Sequence, residues 1–166
     1  MNELYSTLEQ VLVRKIALYE DIIQVMNEEW ASISNYSRID LENAVSRKEI
    51  LLAQVHDLNY KREEIVKAFA KSLNRSQSEV TLGVIIELKN NPFKNRMAAC
   101  REKIKDQINT INQLNKANKQ LINRSSLAMK KSMSWLYELD TACTSYYSNG
   151  QIREPVMESR VVNTDV

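Results

Sequence analysis

The sequence predicts an all-α fold: an elongated antiparallel helical bundle, or coiled coil, of three long helices and one short one, with a flexible C-terminal tail. Three observations predict it. The 166 residues include only two Gly and two Pro, and the hairpins and tight loops of sheets draw on those residues. Apolar residues recur every three or four positions over long runs, the period of a helix buried along one side. Clusters of Ser and Asn, which prefer turns and caps to helix interiors, break these runs at only a few places.

The first run covers about 3–36. Leu4, Leu8, Leu12, Ile16, Tyr19, Ile23, Met26, Trp30 and Ile33 form its stripe. "SISNYSRID" ends it, and Asp40 suits the N-cap of a second helix. That helix covers about 40–74, with Leu41, Ala44, Leu51, Val55, Leu58, Ile65, Phe69 and Leu73 on one side. Ser76 followed by Glu79 reads as a capping box, opening a short third helix over about 79–90. Asn91-Pro92 predicts a cap and first helical residue for a fourth helix over about 92–145. Residues 146–166 read as a turn and a tail, flexible when free. Asn149-Gly150 suits a helix stop, because both residues tolerate the left-handed conformation.

The fourth helix changes character along its length. Met97, Ile104 and Ile111 open an apolar seam, which passes to Asn118, Ser125 and Ser132 while Ile122, Met129 and Leu136 continue beside it. At about 1.5 Å per residue the first two helices are each near 50 Å and the fourth near 80 Å. The fourth therefore outruns its neighbours from roughly Ala128 on, and Met129, Met133, Trp135, Leu136 and Leu139 lack a helix to cover them.

The charged share is 27%, with net charge +2, and mean hydropathy is −0.43, which predicts a water-soluble chain. Residues 1–80 hold 10 basic and 13 acidic groups and the rest 13 and 8, an asymmetry too mild to argue for nucleic acid. No stretch approaches the roughly 20 apolar residues of a membrane span, and "MNELYSTLEQ" has no secretory signal pattern. Cys100 and Cys143 are far apart, and read as reduced cytosolic thiols. The only histidine, His56, stands mid-helix. No paired Glu-x-x-His motif exists, two cysteines and one histidine do not make a common zinc site, and Gly83 and Gly150 are too isolated for a phosphate loop. The expectation is a protein that is not an enzyme, with no cofactor, metal or small-molecule substrate, that works by binding other proteins.

Three stretches resemble the FlgN family of flagellar export chaperones. "SRKEILLAQVHDLNYKRE" is similar to the family's second-helix pattern at Lys48, Leu51, Leu52, Val55, Leu58 and Arg62. "LNKANKQLI" is similar to its Leu-Asn-x-x-Asn-x-x-Leu-Leu signature at Leu114, Asn115, Asn118, Leu121 and Ile122. "YYSNGQ" looks like its Tyr-x-x-x-Gly-Gln turn at Tyr146, Gly150 and Gln151. The order and separation of the stretches span most of residues 1–151. The resemblance implies a cytoplasmic type III secretion chaperone without a cofactor. Such a chaperone binds the C-terminal amphipathic segments of the hook–filament junction proteins FlgK and FlgL, prevents their premature assembly and delivers them to the export apparatus.

The candidate partner-binding residues are Asn115, Asn118, Ile122, Met129, Met133, Trp135, Leu136, Leu139, Tyr146 and Tyr147. Each also has a structural reading. Asn115 and Asn118 either contact substrate or set register as buried amides do in coiled coils. The Met129–Leu136 cluster either packs on the third helix or takes a partner helix, a task for which unbranched methionines are suited. Tyr146 and Tyr147 either pack beside the helix stop or anchor a partner. The alternative class is a structural coiled-coil scaffold or homo-oligomer without an export role.

Overall fold

A computed structural model describes residues 1–142, with side chains through Tyr137. Helix α1 spans Asn2–Ser34 and α2 spans Arg38–Ser72. A 3₁₀ turn at Gln77–Glu79 leads into the short helix α3, Leu82–Glu87, and α4 runs Lys94–Ala142. The fold is all-α, three long helices and a short one. The chain divides into two compact units, Met1–Ile122 and Asn123–Val166.

In the first unit α1 and α2 are antiparallel. The Tyr5 and Phe69 rings pack with centroids 5.0 Å apart, Lys15 donates to Asn59 Oδ1 at 2.8 Å, and Arg47 pairs with Glu28 at 2.5 Å. α4 instead runs parallel to α1. Arg96 pairs with Glu9 at 2.6 Å, Gln107 Nε2 donates to the Ile16 carbonyl at 3.0 Å, and Asn118 Nδ2 to the Met26 carbonyl at 3.0 Å.

Because α1 has two long neighbours, its buried side is wider than one stripe. Leu8, Leu12, Leu18, Ile22, Val25 and Met26 are all buried, while Trp30, expected within the stripe, is 48% exposed. The core has two parts. One gathers Tyr5, Leu8 and Leu12 of α1, Ile65 and Phe69 of α2, Ile85 and Ile86 of α3, and Met97 and Ile104 of α4. The other is thinner: Leu18, Ile22, Met26 and Val55, edged by Leu51, Ile111 and Leu114. Burying a side chain of this size contributes about 2 kcal/mol, so α3 adds most where it closes the first cluster.

The helix ends explain the small differences from the expected boundaries. α1 stops before Tyr36, which adopts φ 54°. Its N–H bonds the Ile33 carbonyl and that of Ser37 bonds Ser32, the paired bonds of a Schellman stop. Asn74, at φ 51°, ends α2 in the same way through Lys71 and Ala70. The N-cap of α2 is Ser37 rather than Asp40. Asp40 lies in the first turn and accepts from Ser37 Oγ at 2.5 Å, where exposed N–H groups favour a carboxylate.

The capping box forms, with Glu79 accepting from the Ser76 N–H at 3.0 Å, yet it opens only the 3₁₀ turn. Thr81 then caps α3 by accepting from the Val84 N–H at 3.4 Å. α4 begins at Lys94, not Pro92. Asn91 Oδ1 accepts from the Phe93 N–H at 2.9 Å and its Nδ2 donates to the Ile85 carbonyl at 3.2 Å. That holds Pro92 in a side-chain-closed turn before the helix.

Candidate partner-binding surface

The two halves of α4 differ in what they do with polar groups. In the first unit, Gln107 and Asn118 are buried seam residues that bond the α1 main chain. Asn118 Nδ2 also lies 3.3 Å from Glu29 Oε2, and the other oxygen of that carboxylate pairs with Lys48 of α2. Lys48 belongs to the first family-like stretch and Asn118 to the second, so the two meet at one buried acid of α1. Gln107 Oε1 and Asn118 Oδ1 are buried without a hydrogen-bond partner. The structure thus places Asn118 inside the bundle, in the register-setting position. Asn115 is exposed, and Ile122 is 49% exposed. Of the first stretch, Val55 is buried, Leu51 and Leu58 edge the core, and Leu52 faces outward.

In the second unit α4 carries a dense set of exposed apolar side chains: Leu127 at 56%, Met129 at 63%, Met133 at 49%, Trp135 at 60% and Leu136 at 59%. Met129, Met133 and Leu136 follow one another at spacings of four and three and share a face. Lys131, Ser132, Trp135 and Leu136 line a shallow groove. Leu127 belongs to this set and was missed in the sequence because it falls outside the seam. Of the remaining candidates, the Leu139 side chain and the residues Tyr146 and Tyr147 lie outside the described residues, as do Cys143, the Asn149-Gly150 stop and the tail.

Charge also changes along α4, beyond Lys105 and already within the first unit. Lys94, Arg96, Arg101, Lys103 and Lys105 each pair with a carboxylate. Residues 107–137 then hold Lys116, Lys119, Arg124, Lys130 and Lys131 and no Asp or Glu. Nine ion pairs link described side chains, and none involves these five. This signal stood in the sequence as a gap in acidic residues.

Among the described residues, little suits bond-breaking chemistry. His56 is exposed on α2. Cys100 is half-buried, and burial, with the Glu9 carboxylate adding, pushes its thiol up; Arg96 and Lys103 pull the other way. No described helix is long and apolar enough to cross a membrane.

An exposed apolar strip on a helix is a candidate surface for another protein. The model of one family, described as FlgN protein, matches residues 1–154. The chain belongs to the FlgN family. FlgN proteins are flagellar export chaperones for hook-associated proteins; they are cytoplasmic and are not enzymes. No curated protein and no solved structure matches the chain.

Proposed function

We propose that this FlgN chaperone takes the C-terminal amphipathic segments of FlgK and FlgL on the second unit of α4, through Met129, Met133, Trp135 and Leu136 with Leu127. Leu139, Tyr146 and Tyr147 extend the same reading beyond the described side chains. Asn115 and Ile122, exposed on the first unit, are contact candidates of their own. Bound there, the subunits are kept from assembling prematurely until delivery to the export apparatus. The observation that carries the reading is the exposure of Leu127, Met129, Met133, Trp135 and Leu136, about half or more in each case. Large apolar side chains left wet in the free protein are where a helix-in-groove partner gains affinity. Roughly 800 Å² buried on each side is enough for a specific complex.

The test is co-elution of the full chain with C-terminal fragments of FlgK and FlgL at micromolar concentration. Trp135→Ala combined with Leu136→Ala should weaken binding about tenfold or more, as loss of an aromatic anchor does, while the circular dichroism spectrum is unchanged. Failure of both fragments to co-elute, or full binding by the double variant, rejects the reading.

A further inference from the structure

The apolar strip is not the only unsatisfied chemistry of the second unit. Arg124, Lys130 and Lys131 are exposed there and none forms an ion pair with a described side chain. Lys131 borders the same groove as Trp135 and Leu136. Elsewhere on α4 the cations from Lys94 to Lys105 are matched, even to acids on other elements such as Glu9, Glu20 and Glu87. Resting on the docking reading above, we propose that the segment received in this groove is an acidic amphipathic helix, whose carboxylates flank its apolar face and pair with Lys131 and Arg124, which lie on the same side of α4 as Trp135.

The distribution of apolar residues selects a protein helix over the two other polyanions. An amphipathic helix lying in a lipid interface buries one face only. Leu127 and Leu136 are nine residues apart, about two and a half turns, and so point to opposite sides of α4. A flat lipid surface leaves one of them wet, whereas a helix seated over Trp135, which lies between the two on the helical wheel, can reach toward both with its side chains. A nucleic acid satisfies the cations but offers little to Met129, Met133 and Leu136. Self-pairing of this stretch in parallel sets Lys130 and Lys131 against their own copies, which like-charge repulsion disfavours.

The test uses the full chain and three labelled amphipathic peptides with the same leucines and with Glu, Gln or Lys at the intervening polar positions. Fluorescence anisotropy at low salt should show the Glu peptide binding about fivefold to tenfold tighter than the Gln peptide. That margin should shrink as salt shortens the Debye length. Arg124→Glu with Lys131→Glu should reverse the order, so that the Lys peptide binds best.

Equal binding of the Glu and Gln peptides, an unchanged preference in the charge-reversed chain, or binding to none of the three overturns the inference. Binding to phosphatidylserine vesicles or to single-stranded DNA without preference for the Glu peptide also overturns it, in favour of a membrane or nucleic-acid surface. The FlgK and FlgL fragments separate the two readings. Full fragment binding by the charge-reversed chain removes the acidic partner and leaves the docking site standing. Full fragment binding by the Trp135→Ala, Leu136→Ala chain removes the site itself.

Discussion

Asn118 of α4 and Glu29 of α1 lie 3.3 Å apart in the interior, and the far oxygen of the same carboxylate is held by Lys48 of α2. One acid thus ties all three long helices. Glu29 is 6% exposed and Lys48 is 25% exposed at its side chain, so the carboxylate depends on that cation for its burial. Removing one partner of a buried pair costs more than replacing both. Lys48→Met is expected to destabilise by about 2–3 kcal/mol, toward the low end of the range because the lysine is partly wetted. Glu29→Gln with Lys48→Met should recover much of the loss, since the neutral amide still accepts from Asn118. Urea unfolding of the two single variants and the double gives the coupling energy directly.

Tyr36 stops α1 at φ 54° and is 78% exposed. A non-glycine residue in the left-handed region costs about 1–2 kcal/mol, less for Asn, whose short side chain bonds locally. Tyr36→Gly should therefore stabilise by roughly 0.5–1 kcal/mol after the larger entropy of an unfolded glycine is deducted. Asn74→Gly, at φ 51° in an equivalent stop, should gain less. The denaturation midpoint should rise for Tyr36→Gly with an unchanged slope.

The periodic pattern made the helices legible because burial on one side leaves a trace every three or four residues. It placed Leu8, Leu12, Val55, Ile65, Phe69 and Met97 in the core, where they are. It was less informative where two helices share a neighbour. α1 turns one side to α2 and another to α4, so Ile22, Val25 and Glu29 are buried although they fall off the single stripe, while Trp30 is not. Asp40 was read as a cap because its side chain suits one; Ser37, three residues earlier, takes the position. Neither helix stop could announce itself through glycine, because Tyr36 and Asn74 do that work. Apart from Leu127, the exposed apolar residues Met129, Met133, Trp135 and Leu136 followed from helix lengths alone. The missing carboxylates of residues 107–137 were equally visible but had no meaning until the other cations of α4 were seen to be paired.

The difference between core and strip can be measured at two positions. Phe69 is fully buried against Tyr5 at one end of the core, and Leu136 is 59% exposed. Phe69→Ala should cost about 3–5 kcal/mol, combining lost transfer energy with the cavity left behind. Leu136→Ala should change stability by no more than about 0.5 kcal/mol, as exposed substitutions do. A stability loss at Leu136 comparable to that at Phe69 marks it as core and removes it from the partner surface. Thermal or urea unfolding of the two variants side by side settles the assignment.

Cys100 reports on the packing between α1 and the start of α4. Burial is the main force raising its thiol, with the Glu9 carboxylate second, opposed by Arg96 and Lys103. The thiolate is the reactive form. In a Cys143→Ser chain at mildly alkaline pH, alkylation of Cys100 by iodoacetamide should be roughly tenfold slower in the folded protein than in urea, where the thiol titrates normally. Glu9→Gln should speed the folded reaction, because it removes one raising charge and frees Arg96 from its 2.6 Å pair. The same shift fixes the sign of a pH effect. A thiol whose folded value lies above its unfolded value holds its proton longer in the folded state. Its contribution is fully present below the ordinary thiol value near 8.5 and is lost as pH rises from there through the raised folded value. Cys100→Ala should flatten that decline, which unfolding midpoints measured on both sides of the thiol range will show.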